Sequence, residues 1–271
     1  MIRVALAGPR GRMGSEAVHT LMKNSSIDLV AVLDYKEIGK VLSETSIFPA
    51  NYEIPVYNKI EELLQIEKPD VFLDLTTPES VYDHAEHCLT KQVKVVIGTT
   101  GMSEKQSSSL QKLSDENQTA CIIAPNFALG AIMMMKFAKM AAAYFPDVEI
   151  IELHHDQKLD APSGTATKTA SLISEVRKPH QQGHPEEKEV LQGARGASYQ
   201  GIPIHSVRLP GFTAHQKVIF GDTGQLLTIQ HDSMSRQSFM SGIVFAIEKV
   251  MQTNDYIVGL ENLLTEEGDL R

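Results

Sequence analysis

Cysteine, cationic side chains and long apolar runs are all scarce in this chain, and each shortage removes a class of protein. Only Cys88 and Cys121 are present, too few for a disulfide framework, which fits a reducing compartment. Lysine and arginine number 25 against 34 acids, a formal charge of −9, so the surface does not suit a nucleic acid, whose phosphates need clustered cations. An anionic ligand must therefore be held by local positive charge against the field of the whole chain. The apolar run at 131–135 is broken by Lys136 and Lys139 and falls short of the ~20 residues that cross a membrane. The opening Ile2-Arg-Val-Ala-Leu-Ala-Gly8 is too short for the apolar core of an export signal. A cytoplasmic location is the expectation.

What is there is globular material: 42% hydrophobic and 22% charged residues, enough for a sizeable core, over a length that suits one to two domains. Residues 2–7 read as a short buried strand. Gly8-Pro9-Arg10-Gly11-Arg12-Met13-Gly14 follows, then a helical pattern with Ala17, Val18, Leu21 and Met22 on one side, then a second strand over 29–33 ending at Asp34. A glycine-rich turn between strand and helix, with an acid twenty residues after Gly14, is the arrangement in which a dinucleotide pyrophosphate sits on the helix N-terminus and the acid takes the ribose hydroxyls. The glycine spacing is not ideal, since Arg10 stands at the usual second glycine and Pro9 removes a backbone donor. Further strands over 71–75, 93–97 and 120–124 lead into Thr76-Thr77, Gly98-Thr99-Thr100-Gly101 and Pro125-Asn126-Phe127. Ligands of an open parallel sheet lie outside the carboxyl ends of the strands, so these loops are expected to line one crevice, where a nicotinamide would lie.

Beyond Phe127 the pattern changes. A helix over 129–144, a strand over 148–153, a helix over 163–176 and a polar loop over 177–192 are followed by segments 202–209, 216–220 and 226–231, which read as antiparallel strands. The expected fold is α/β, a Rossmann-type doubly wound parallel sheet plus a second α+β domain with a mainly antiparallel sheet. A last helix over 236–251 carries an apolar stripe that marks it as packed on a core, without saying which.

The chain is organised around residues 152–166, Glu-Leu-His-His-Asp-Gln-Lys-Leu-Asp-Ala-Pro-Ser-Gly-Thr-Ala. A helix opening at Ser163 leaves first-turn N–H groups unpaired at the positive end of its dipole, which favours a carboxylate or phosphate. Gly164 lets an anion approach the backbone, and Lys158 adds a full positive charge. Of His154 and His155, neighbours on opposite faces of a strand, one is a candidate acid near neutrality and the other a candidate binder. No third ligand accompanies the histidine pair, so no metal is expected. Nor do Gly183 and Pro185 allow His180 and His184 to share a helix face.

With these pieces placed, the sequence resembles the dihydrodipicolinate reductase family over essentially its whole length. The resemblance rests on Gly8-x-x-Gly-Arg-Met-Gly14, Gly98-Thr-Thr-Gly101, Pro125-Asn-Phe127, Glu152-x-His-His-x-x-Lys-x-Asp-Ala-Pro-Ser-Gly-Thr165, Arg195-Gly196, the segment 201–208 and Ser235-Arg236. It implies reduction of a cyclic dicarboxylate imine, in lysine and diaminopimelate biosynthesis, with NADH, NADPH or both as cofactor. On matching positions it implies His154 as acid/base and Lys158 as second proton donor, with His155, Ser163, Gly164 and Thr165 holding the substrate carboxylates. Gly8, Pro9, Arg10, Gly11, Arg12, Met13, Asp34, Gly98, Thr99, Thr100, Ala124, Pro125, Asn126 and Phe127 would hold the cofactor. It further implies a dinucleotide-binding domain of 1–126 plus 237–271, a substrate-binding and oligomerisation domain of 127–236, and a homotetramer.

Two departures matter. Some members carry an arginine directly after the ribose-binding acid, suited to a 2′-phosphate, whereas Asp34 is followed here by Tyr35 and Lys36; NADH is expected to serve at least as well as NADPH. Segment 209–215 differs from the glycine-rich turn of the family, which leaves His215 without a role. A rival reading, a dehydrogenase with a cysteine nucleophile, is disfavoured because Cys88 falls within a helix and Cys121 within a strand, poor places for an activated thiolate.

Overall fold

Val4, Ala5, Leu6 and Ala7 are all fully buried, as in a strand covered on both faces. They belong to β1 (Ile2–Ala7), followed by α1 (Arg12–Leu21), β2 (Ile27–Leu33), β3 (Val56–Tyr57), α2 (Ile60–Glu67), β4 (Val71–Asp74), α3 (Pro78–Thr90), β5 (Lys94–Ile97), α4 (Glu104–Asn117) and β6 (Cys121–Ile123). The second half of the chain adds α5 (Leu129–Ala142), β7 (Asp147–His154), α6 (Gly164–Ser174), β8 (Ala197–Tyr199), β9 (Ile202–Arg208), β10 (Ala214–Asp222) and β11 (Gln225–Ser233), and ends with α7 (Met240–Val250) and β12 (Tyr256–Val258). This computed structural model describes residues 1–36, 39–45, 47–49, 51–178 and 180–264; the tail 265–271, assigned above to the first domain, lies outside them. The chain divides into two compact units, Met1–Phe127 with Phe239–Arg271, and Ala128–Ser238.

In the first unit, seven strands run in the order β12-β6-β5-β4-β1-β2-β3, with every neighbouring pair parallel. The order reverses between β1 and β4, the switch point at which such sheets open a crevice for ligands. Ile60, Leu63 and Leu64 of α2, Val81, Ala85 and Leu89 of α3 and Leu110 of α4 bury one sheet face around Phe72 and Val95. Helix α7 packs with α1 and against β4, β5 and β6. Gly242 permits its close approach, because a Cβ there would stand 1.8 Å from the Phe127 carbonyl oxygen. The Lys94 ammonium, bonded to the carbonyls of Val250 (3.1 Å) and Thr253 (2.5 Å), satisfies acceptors left over at the end of α7.

In the second unit, five strands run in the order β11-β10-β7-β9-β8. Helices α5 and α6 lie on one face of this sheet, where Val148, Ile150, Ile204, Val218 and Phe220 are buried. The sheet is mainly antiparallel as expected, with one exception: β9 is antiparallel to β8 but parallel to β7, and β10 pairs with β7 rather than with β9. The reason is that α6 and the loop after it form a crossover long enough to return the chain in the same direction. The register sets the neighbours of the last residues of β7. Glu152 stands between Gln216 and Ser206, and His154 between Ala214 and Arg208.

Candidate functional site

The buried face of β7 alternates Val148, Ile150, Glu152, His154, so the period of the strand carries an acid and then a histidine onward from the apolar core. Glu152 is fully buried. A carboxylate there must be paired, and Arg208 supplies two parallel bonds, Nη2 to Oε1 at 2.7 Å and Nη1 to Oε2 at 2.9 Å. The Ser163 amide donates to Oε1 at 3.3 Å, and His154 bonds Oε2 through Nδ1 in a very short contact. Burial pushes the Glu152 carboxyl up, but hydrogen bonds from His154, Arg208 and Ser206 outweigh it and hold the group down to about 2. An ionised Glu152 only accepts, so Nδ1 of His154 carries hydrogen and Nε2 is the nitrogen left for chemistry.

The expected anion site lies beside this assembly. Ser163 is the N-cap of α6, its hydroxyl accepting from the Ala166 amide at 3.2 Å, while the amides of Gly164 and Thr165 occupy first-turn positions with no intrahelical acceptor. A Cβ on Gly164 would meet no atom within 4 Å, so nothing in the protein itself demands glycine there. Lys158 donates to Asp160 at 2.7 Å, and that bond lowers the Asp160 carboxyl. His155 follows the last residue of β7 and is exposed. His215, unassigned from sequence, pairs through Nδ1 with Asp232 at 2.8 Å.

The residues expected to hold the cofactor all lie in the first unit. Gly8 has a φ of +86°, and a Cβ there would stand 2.6 Å from the Leu75 carbonyl oxygen; one on Gly14 would come within 1.9 Å of the Gly8 oxygen. These two positions therefore require glycine if the turn and α1 are to pack on the sheet. Pro9 is buried, Gly11 is the N-cap of α1, Arg12 opens the helix on the surface and Met13 is half-buried. Asp34, just beyond β2 and nearly buried, takes the Arg10 guanidinium at 2.6 Å and the Lys36 amide at 2.9 Å. Gly98 lies close against the Phe127 ring, Thr99 is buried, Thr100 is exposed, and Ala124 bonds back to the Ile97 carbonyl. Pro125 and Asn126 continue that loop, Pro125 in the open. The glycine turn and helix start thus fit a dinucleotide: they provide an anion cradle at α1 and an acid at the ribose position.

Glu152 and Arg208 carry no role in the sequence reading, although both fall within its motifs. One signal was present, an acid at a buried position of an alternating strand. Arg208 is brought in from 56 residues away by strand pairing, which no local pattern reports. Both thiols are buried, which raises them, that of Cys121 to about 12, and leaves them ill-placed as nucleophiles.

Residues 2–127 match the N-terminal part of dihydrodipicolinate reductase and residues 130–264 its C-terminal part. The chain is 59% identical over 263 residues to the 4-hydroxy-tetrahydrodipicolinate reductase of Lysinibacillus sphaericus, covering 97% of this chain and 99% of that protein. It is 57% identical to that of Geobacillus thermodenitrificans, covering 97% and 99%. The solved structure of dipicolinate-bound dihydrodipicolinate reductase from Paenisporosarcina sp. TG-14 superposes with a TM-score of 0.90 at 62% identity, covering 97% of this chain and all of that one. From the Gly8 turn to the Glu152–His154 strand end, then, the chain belongs to the dihydrodipicolinate reductase family.

Proposed function

We propose that the protein reduces 4-hydroxy-tetrahydrodipicolinate to tetrahydrodipicolinate, in lysine and diaminopimelate biosynthesis, with a nicotinamide nucleotide as reductant. When bound, the cofactor supplies the hydride. Gly8, Pro9, Arg10, Gly11, Arg12 and Met13 cradle its pyrophosphate, Asp34 receives the adenosine ribose, and Gly98, Thr99, Thr100, Ala124, Pro125, Asn126 and Phe127 lie toward the nicotinamide. In the second unit, the Gly164 and Thr165 amides bind one substrate carboxylate at the Ser163 helix start. Lys158, exchanging Asp160 for substrate, and His155 bind the other.

Loss of the 4-hydroxyl of the substrate as water gives the conjugated imine, and hydride addition to that imine leaves an electron pair that a proton must quench. Protonated His154 donates from Nε2 and relaxes to the Nδ1–H tautomer that Glu152 holds; Lys158 is the second donor. The observation that carries this reading is the His154–Glu152–Arg208 assembly, which presents one defined nitrogen beside an anion site. Loss of NADH absorbance on adding enzymatically generated substrate tests it, and absence of turnover with either nucleotide refutes it.

Between the two nucleotides, NADH serves at least as well as NADPH. Asp34 places negative charge at the ribose, and the Arg10 guanidinium is already bonded to it, so a 2′-phosphate meets an acid rather than an uncommitted cation. A preference for NADPH of roughly tenfold in kcat/KM, about 1.4 kcal/mol, refutes this. The same reading makes the protein a cytoplasmic homotetramer joined through the second unit. Edge strand β11 exposes Leu226, the kind of apolar edge a second copy covers, and a monomeric mass by light scattering contradicts it.

A further inference from the structure

The first unit contains a buried carboxylate–imidazole pair that the chemistry above does not use. Asp74, the last residue of β4, has no exposed surface, and His84 on α3 is almost as deeply buried. His84 Nδ1 lies 2.7 Å from Asp74 Oδ2. The other carboxylate oxygen accepts three bonds: from the Thr76 amide at 3.0 Å, the Thr76 hydroxyl at 2.7 Å and the Thr99 hydroxyl at 2.8 Å. On the far side of the imidazole, Nε2 is 3.5 Å from the hydroxyl of Tyr35, the residue after Asp34, while the ring meets Phe72 edge-on.

Burying such a pair costs desolvation that apolar side chains of the same volume avoid, so stability alone explains it poorly. Its placement explains it better. Asp74 ends the strand next to β1 at the switch point, and its oxygens tie together the loop after β4 and the loop after β5. Through His84 and Tyr35 the chain of contacts reaches the residues following β2. Leu75, the next residue, has its amide on the Ala7 carbonyl at 3.1 Å and its own carbonyl against the space at Gly8. One carboxylate thus joins the loops after β4 and β5 directly and reaches the segment after β2 through His84.

We propose that Asp74 and His84 are positioning residues for the nicotinamide nucleotide, holding the Thr76 and Thr99 loops and the Tyr35 segment in the geometry that receives it. They act through these loops and touch neither the substrate nor the reacting atoms. Because the anchor holds the loops after β4 and β5, away from the 2′ position of the ribose, its loss weakens NADH and NADPH alike. A change at Arg10, beside the ribose, instead alters their ratio. The proposal rests on the first unit being the nucleotide site.

The test is Asp74→Asn, which keeps shape and removes charge, in the full-length protein. Nucleotide affinity is read by fluorescence titration with NADH and NADPH separately, alongside steady-state kinetics and a thermal melt. The expected result is a roughly tenfold weaker Kd for both nucleotides, about 1.4 kcal/mol, with kcat at saturating nucleotide and KM for the dicarboxylate within about twofold. Unchanged nucleotide affinity overturns the proposal, as does a variant in which only the active fraction falls. If Asp74→Asn does not fold, His84→Gln, which can still donate to Asp74, is compared with His84→Ala. Rescue of nucleotide affinity by Gln supports the proposal, and equal affinities in the two variants overturn it. Wild-type protein that binds neither nucleotide would instead refute the cofactor reading on which it rests.

Discussion

Replacing Glu152 with glutamine tests the second unit most severely, because the side chain keeps its shape and loses only its charge. In the native protein the carboxyl is held at about 2 against an ordinary 4.5, which favours the ionised form by about 3 kcal/mol at ~1.36 kcal/mol per tenfold change in acidity. Glutamine forfeits that and faces Arg208 or His154 with an amide donor, so unfolding in urea at neutral pH should show a loss of about 3 kcal/mol. The loss depends on pH with a definite sign. A depressed carboxyl contributes fully above its unfolded value near 4.5, and the contribution is lost as pH falls through about 2. The gap between wild type and variant should therefore narrow by about 2 kcal/mol at pH ~3. Catalysis should suffer as well, since His154 no longer has a fixed tautomer: kcat drops by roughly 10²-fold with nucleotide Kd unchanged. A variant that unfolds with the wild type at both pH values, or turns over within about threefold of it, would refute the reasoning.

Two other substitutions separate the units. Gly164→Ala meets no atom within 4 Å, so the melting temperature should hold while KM for the dicarboxylate rises roughly tenfold by obstruction of the first-turn amides; an unchanged KM means no carboxylate sits there. Arg10→Gln leaves Asp34 without the guanidinium 2.6 Å away, and the ratio of kcat/KM for NADH to that for NADPH should rise about tenfold, whereas a constant ratio removes Arg10 from the adenosine end.

Much of this was legible because it is local. The Gly8 turn, the acid after β2 and the Ser163 cap are contiguous patterns whose geometry follows from a few neighbouring residues. What was missed depends on pairing between distant segments. Arg208 reaches Glu152 only because β9 runs parallel to β7, the one parallel pairing of an otherwise antiparallel sheet among the described residues. Asp74 and His84, ten residues apart across a strand-to-helix turn, belong to no contiguous motif. Strands β3 and β12, of two and three residues, are too short to display a period at all.

The central claim is that the second unit supplies the proton while the first holds the reductant, and His154→Gln tests it most directly. Measured as NADH oxidation with enzymatically generated substrate, alongside a nucleotide titration, the variant should lose at least ~10²-fold in kcat and bind nucleotide as the wild type does. Turnover near the wild-type rate would contradict the account.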